Sequence, residues 1–109
     1  MGQEFGTISV YGRYDHLYLN HYILRFYTAY LENQYDIIQE QVAKGHGSHL
    51  DALAHFTGCR EQALRSFRRT LNTHYEELFG MQKNPAIVRE KISGLIELTP
   101  ALRTLCASG

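Results

Sequence analysis

Apolar residues recur at helical spacing through the first half of the chain. Between residues 15 and 43 they lie three, four and seven positions apart and form one stripe, with a second stripe along its edge. The first stripe consists of Leu19, Ile23, Phe26, Tyr30 and Ile37, and the second of Leu24, Tyr27, Leu31 and Ile38. With Asp15 as its N-cap, this pattern predicts one long N-terminal helix.

Two glycines and a serine predict the turn that follows this helix. Gly45 and Gly47 end it, because glycine takes a left-handed conformation past a helix end without a Cβ clash. Ser48 followed by Asp51 fits a capping box, in which the short aspartate replaces the usual glutamate. A short second helix is therefore predicted to begin at Ser48.

Three more helices are predicted beyond Gly58. The first runs from about residue 60 to residue 79. Asn84-Pro85 and Thr99-Pro100 each place a capping residue before a proline, which is a signal for a helix start. Apart from a short stretch at residues 7–11, no alternation typical of a strand is present. The sequence thus predicts an all-α protein, a compact bundle of four to five helices.

The length of 109 residues is that of one domain. We assign residues 15–109 to a single helical domain and residues 1–14 to a flexible N-terminal arm or a cloning remnant. The opening MGQEFGTISV lacks the basic-then-apolar pattern of a signal peptide. No run of apolar residues is long enough for a transmembrane helix, so no integral membrane segment is expected.

Charge is balanced overall but uneven along the chain. Residues 1–42 carry a net charge of −3 and residues 43–109 carry +3, which gives zero in total. A nucleic-acid-binding chain is expected to show a positive sum, so no nucleic-acid partner is predicted. Arg65, Arg68 and Arg69 share the outer face of the third helix, where Glu61 can pair with Arg65. This face is either solvated or a surface for a protein partner.

Tyrosine is concentrated near the start of the chain. Seven of the eight tyrosines fall between Tyr11 and Tyr35. Tyr27 and Tyr30 fit the core stripe, and tyrosine is enriched at protein interfaces. Four other tyrosines are assigned to a partly exposed surface for a partner: Tyr11, Tyr14, Tyr18 and Tyr22. They favour a protein partner or a homodimer.

Catalytic and metal-binding patterns are weak. Three histidines are candidate metal ligands: His46, His49 and His55. No HExxH motif is present. Roles in helix capping or in pairing, such as Asp51 with His55, explain these histidines as well. No G-x-S-x-G occurs, and nothing in the sequence orients a base toward Cys59. We therefore expect no enzyme activity and no cofactor.

The two cysteines, Cys59 and Cys106, do not form a CxxC motif. Either both thiols are free or they form one bridge, which would require an oxidising compartment.

One stretch resembles a known family. The sequence A-K-G-H-G-S-H-L-D-A-L-A-H-F-T-G-C precedes an Arg-rich helix that ends T-H-Y-E-E-L-F, and Leu105-Cys106 closes the chain. These features resemble a family of small exported bacterial proteins of unknown function, domain of unknown function 3015, mainly over residues 33–79. The resemblance implies a periplasmic or secreted location and a Cys59–Cys106 disulfide. It brings no activity, cofactor or catalytic residue.

The functional expectation is a non-catalytic, exported helical domain that binds a protein or cell-envelope partner. Two alternatives remain open. One is an inhibitor or immunity-type binder of a cognate protein, and the other is a metal-binding protein that uses the three histidines.

Overall fold

The computed structural model describes residues 24–81 and 83–106, and every regular element within these ranges is a helix. The predicted all-α class is thereby confirmed. The elements in chain order are α1 (residues 24–33), α2 (Tyr35–Lys44), α3 (Ser48–Thr57), a 3-10 helix (Glu61–Ala63), α4 (Leu64–Thr73), α5 (Tyr75–Phe79), α6 (Pro85–Leu98) and α7 (Pro100–Leu105). No helix of the described ranges is long and apolar enough to cross a membrane.

Some predictions fall outside these ranges. The Asp15 cap, the short stretch at residues 7–11 and the arm at residues 1–14 lie outside the described residues.

The predicted long helix is interrupted at Gln34. This residue leaves helical geometry, with φ −115° and ψ 23°, and separates α1 from α2. The hydrogen bonds nevertheless continue through the break, since the Gln34 amide donates to Tyr30 O at 2.9 Å and the Ile38 amide donates to Gln34 O at 2.9 Å. The part of the predicted helix that precedes residue 24 lies outside the described residues.

The core-facing side of α1 and α2 is the second of the two apolar stripes. Tyr27, Leu31 and Ile38 of this stripe are buried, although its Leu24 is 43% exposed. In the first stripe Tyr30 packs against the core, whereas Phe26 is 54% and Ile37 is 41% exposed. The predicted apolar face is therefore wrong at the exposed positions, Leu24, Phe26 and Ile37. Periodicity finds both stripes, but the packing of α3 and α4 against one side of α2 decides which stripe is covered.

The third predicted helix is divided into three elements. The 3-10 turn precedes α4, and a break at His74, with φ −103° and ψ 27°, separates α4 from α5. As at Gln34, hydrogen bonds bridge the break, because the His74 amide donates to Thr70 O at 3.1 Å and the Leu78 amide donates to His74 O at 3.0 Å.

Helix α4 lies at the centre of the fold. It packs against α2, α3, α5, α6 and α7. Its inward side chains, Phe67 and Leu71, are fully buried. On its polar side, Asn72 Nδ2 donates to the carbonyl oxygens of Val42 and Ala43 at 2.9 and 3.0 Å, in the last turn of α2, where carbonyls lack the amide of a following turn. Because α4 holds the other helices together, its outward face is presented on a rigid support.

A disulfide joins Cys59 to Cys106. Cys59 is fully buried at the corner after α3, and Cys106 is half-buried at the end of α7. The bridge fastens α7 to the corner between α3 and the 3-10 helix. The disulfide that the family resemblance implies is thus confirmed.

Candidate functional site

The turn between α2 and α3 requires both of its glycines. Gly45 has φ 88°, and its amide donates to Gln41 O and Val42 O, so it is the left-handed C-cap that the sequence predicts. Gly47 has φ 145°, and a Cβ at this position would overlap the side chain of Gln41. A side chain would therefore be strained by the backbone conformation at Gly45, and at Gly47 it would also displace the side chain of Gln41.

Gln41, and not Ser48, caps the N-terminus of α3. Its Oε1 accepts hydrogen bonds from the amides of His49 at 2.8 Å and Leu50 at 3.0 Å. Ser48 is the first residue of the helix, Gly47 occupies the N-cap position, and no side chain at that position caps the helix. The predicted capping box of Ser48 and Asp51 is therefore wrong: Gln41, seven residues before Ser48, reaches across the turn to the first amides of the helix, and the Asp51 amide donates to Gly47 O.

This cap predicts a clear difference between two alanine variants. Gln41→Ala leaves two amides without their acceptor and should lower the free energy of unfolding by about 1 kcal/mol. Ser48→Ala should change it by less than about 0.5 kcal/mol, because the hydroxyl makes no capping bond. Urea unfolding followed by circular dichroism measures both. A larger loss for Ser48→Ala than for Gln41→Ala would contradict the assignment.

Asp51 is bound by Arg68 of α4. Arg68 Nε donates to Asp51 Oδ1 at 2.9 Å, and Arg68 Nη2 donates to Oδ2 at 2.7 Å. The hydrogen bond and charge of Arg68 lower the pKa of the Asp51 carboxyl, against the opposing effect of burial. The predicted pairing of Asp51 with His55 is therefore wrong. Arg68, predicted as part of a partner surface, is committed to an ion pair within the chain.

The Asp51–Arg68 pair should make stability depend on pH in the acid range. The carboxyl pKa is lower in the folded state than in the unfolded state, so the pair stabilises the fold above about pH 4 and this contribution is lost as the pH falls through the folded pKa. The side chains are 31% and 34% exposed, so we expect Asp51→Asn to cost about 1 kcal/mol at pH 7. The difference from wild type should shrink and then disappear as the pH falls below the ordinary carboxyl pKa and through the lowered pKa of the folded state.

Asp36→Asn provides the matched control. Asp36 is also paired with a basic side chain, Lys83 at 3.4 Å, but both partners are largely exposed. This variant should unfold like the wild type at every pH. An Asp51→Asn variant with the same stability loss at acid and neutral pH would show that the loss arises from altered packing and not from the charge.

The three histidines belong to no three-ligand group among the residues that the structure describes. His46 and His55 are exposed. His49 is half-buried, its ring stacks on Tyr30 with centroids 6.1 Å apart, and its Nδ1 lies 3.3 Å from Gln41 Nε2. Within residues 24–81 and 83–106, no group of three His, Cys, Asp or Glu side chains could hold a metal ion. His49 belongs to the turn, where it packs against α1 and the capping glutamine.

Two arginines remain on the outer face of α4. Arg65 and Arg69 lie one helical turn apart, both exposed, and α4 itself contains no acidic residue. Neither takes part in an ion pair in the part of the chain that the structure describes. The predicted pair of Glu61 with Arg65 is not formed, since Glu61 lies in the 3-10 turn with φ 53°. We call Arg65 and Arg69 the α4 arginine pair.

A groove of about 470 Å³ lies between α1 and α6. It is lined by Leu24, Arg25, Thr28, Ala29, Glu32 and Arg89. Arg89 Nη1 lies 2.6 Å from Thr28 Oγ1, to which it donates, and Thr28 Oγ1 lies 3.0 Å from the carbonyl oxygen of Leu24. None of the six is among the predicted site residues. Arg25, Thr28 and Glu32 lie on one helix face by their spacing in the sequence, but such a polar face is equally typical of a solvated helix and does not by itself identify a groove.

Comparison with known proteins identifies the family. The family model described as "Protein of unknown function (DUF3015)" matches residues 25–106. The chain belongs to the DUF3015 family. This match confirms the resemblance noted from residues 33–79 and extends it to nearly all the described residues, including both cysteines. No curated protein and no solved structure matches the chain.

The tyrosines of this DUF3015 protein divide into two groups. Tyr11, Tyr14, Tyr18 and Tyr22 lie outside the described residues and also precede the family match. Tyr27 is buried and stacks on Phe56 with ring centroids 5.4 Å apart. Burial raises the pKa of the Tyr27 hydroxyl, only partly opposed by the charge of Arg89. Tyr27 therefore stays neutral and serves the core as an aromatic side chain.

Proposed function

We propose that this protein is an exported, non-catalytic helical domain that binds an acidic protein partner through the outer face of α4. The observation that carries the proposal is the α4 arginine pair. Two like charges one turn apart destabilise a helix by about 0.2–0.5 kcal/mol. Within the described chain no carboxylate offsets this cost. An acidic surface on a partner would offset it.

The neighbouring arginine supports this interpretation by contrast. Arg68 lies on the same helix, but its guanidinium is held by both oxygens of Asp51. The ion pair with Asp51 therefore explains why an arginine stands at position 68. No such contact within the described chain explains Arg65 and Arg69. Arginine is also favoured at protein interfaces, because its planar guanidinium binds carboxylates in a bidentate manner. The zero net charge of the chain argues against nucleic acid as the partner.

The disulfide supports export. Cysteine bridges persist in the periplasm and outside the cell and are rare in the cytosol. The Cys59–Cys106 bridge fastens the last described helix to the core, so the fold as observed depends on an oxidising compartment. A periplasmic or secreted location therefore belongs to the proposal.

Site-specific photo-cross-linking in cells that express the protein tests the proposal. A benzophenone amino acid at Thr73, exposed and one turn beyond Arg69, leaves both arginines in place. The same probe at Ala101, exposed on α7, is the control position. We expect one discrete protein adduct from position 73 in the periplasmic or secreted fraction and none from position 101.

Charge reversal then links the adduct to the arginines. Arg65→Glu/Arg69→Glu should abolish it, whereas Arg103→Glu, also at an exposed arginine, should leave it unchanged. Three results would overturn the proposal: equal adducts from both probe positions, an adduct that survives the double reversal, or cross-linking to lipid in place of protein.

A further inference from the structure

The geometry points to the groove between α1 and α6 as a homodimer interface, in which α1 packs antiparallel against α1 of a second copy. This surface lies on another helix than the α4 arginine pair and does not depend on it. Its occupant is inferred from the two charged α1 side chains that line the groove, Arg25 and Glu32, since these are complementary to themselves under a two-fold rotation. The third charged side chain of the lining, Arg89 of α6, is held by its hydrogen bond to Thr28.

Arg25 and Glu32 carry these charges at opposite ends of the groove. Seven residues of α-helix complete nearly two turns, so the two side chains share one face and lie about 10 Å apart along the axis. They are therefore too far apart to pair with each other. Both are exposed, and neither takes part in an ion pair among the residues that the structure describes.

A two-fold axis midway along this face brings opposite charges together. The midpoint between positions 25 and 32 lies between Thr28 and Ala29. An antiparallel copy centred there places Arg25 opposite Glu32 of the second copy, and Glu32 opposite Arg25 of the second copy. The same patch thus serves both protomers, as an isologous interface requires, and two ion pairs form from one set of residues.

The centre of the groove suits close helix packing. Thr28 and Ala29 are small, which allows two helix axes to approach to about 8 Å. Thr28 is also held in place, because its hydroxyl accepts a hydrogen bond from Arg89 at 2.6 Å. At the rim, Leu24 is 43% exposed and would lose apolar surface to water in the dimer. The centre of the groove is therefore small and fixed, with the Arg89 guanidinium bound at Thr28 and the opposite charges of Arg25 and Glu32 at the two ends.

The size of this contact sets the expected strength. The ten described residues of α1 span about 15 Å, and a single helix pair of that length buries less than a standard protein interface. We therefore expect a weak dimer with a Kd on the order of 10–100 µM, tighter at low salt because its ion pairs are exposed to solvent.

Sedimentation equilibrium of the oxidised full chain, from about 5 µM to 1 mM, tests this inference across the Kd range expected for a small interface. Arg25→Glu and Glu32→Arg should each weaken self-association at least tenfold, since each places like charges together. Mixing these two variants should restore a dimer, because every contact then joins opposite charges. The double variant Arg25→Glu/Glu32→Arg should also dimerise. Arg103→Glu and Arg65→Glu/Arg69→Glu, which reverse exposed arginines elsewhere, should dimerise like the wild type.

A cysteine pair tests the register independently. Ala29→Cys lies beside the two-fold axis and should give a disulfide-linked dimer on mild oxidation. Glu32→Cys should not, because its two copies lie about 10 Å apart along the axis.

A wild-type chain that stays monomeric at 1 mM would overturn the inference, whether the groove binds residues 1–23, another ligand or nothing. So would a mixture of the two single variants that remains monomeric, or cross-linking of equal yield at both positions. Failure here would leave the α4 cross-linking result unaffected, and the reverse also holds.

Discussion

Removing the Cys59–Cys106 disulfide should lower the free energy of unfolding by about 4 kcal/mol. The bridge joins residues 47 positions apart, and closing a loop of that length restricts the unfolded chain by about this amount in the chain-entropy account. Cys59→Ala/Cys106→Ala is the appropriate variant, because Cys59 is fully buried and a serine there would bury a hydroxyl. Guanidinium unfolding of the wild type and the variant at pH 7 measures the difference.

Reduced wild-type protein provides the control for this prediction. It retains both sulfur atoms in the sequence and lacks only the bond, so it should lose nearly as much stability as the double variant. A double variant within about 1 kcal/mol of the oxidised protein would show that the packing of α7 holds without its covalent link. Separate loss of the α7 contacts, with the rest of the fold intact, would show that α7 is a local unfolding unit.

Ile38→Ala should destabilise the protein by about 3 kcal/mol, and Ile37→Ala should have little effect. Ile38 is fully buried in the core, so truncation removes apolar contacts and leaves a cavity. Ile37 differs only in its position on the helix, and its exposed side chain loses little when it is shortened. The two variants have identical chemistry and adjacent positions, so each controls for the other. Thermal unfolding and urea unfolding of both variants provide the comparison.

The outcome of this pair determines which apolar stripe of α2 faces the core. A larger loss for Ile37→Ala would mean that α2 is rotated about its axis relative to the structure. Equal losses would mean that both stripes are covered in solution. A small gain in stability for Ile37→Ala would agree with the structure, because alanine has the higher helix propensity at an exposed site.

Helix ends set by local signals could be predicted from the sequence. Asn84 caps α6 through its side chain, which accepts from the Ile87 amide at 3.2 Å, and Pro85 follows as the first helical residue. Thr99 occupies the N-cap position before Pro100 at the start of α7, although its side chain makes no capping hydrogen bond. Gly45 and Gly58 take left-handed conformations at the ends of α2 and α3. Each signal depends on residues a few positions apart, so the sequence alone is sufficient.

Interactions across the fold could not be predicted in this way. Gln41 caps a helix that begins seven residues later, and Arg68 reaches an aspartate 17 positions away. In each case, the local pattern offered an acceptable but wrong partner, Ser48 for the cap and His55 for the carboxylate. A side chain chooses between near and distant partners by the geometry of the packed helices, and this geometry is absent from the linear pattern.

The helix breaks at Gln34 and His74 show the same limit. Neither position contains glycine or proline, and both keep hydrogen bonds across the break. The spacing of apolar residues in the sequence hardly changes across such a break, so the break cannot be seen in the sequence. The exposed charges of the α1 groove escape prediction for a related reason, since polar residues on a helix face usually denote only contact with water.

The disulfide also limits how far the protein can be stretched. Residues 59–106 form a covalent ring that contains the 3-10 helix and α4 to α7, whereas α1, α2 and α3 lie outside it. A force applied at the two ends passes directly through the bridge and does not reach the ring. The 47 positions it spans would otherwise add about 160 Å of extended chain. Under tension, the bridge therefore keeps the segment that contains α4 from being extended, and the chain that can be pulled out of the oxidised protein is the part outside the ring.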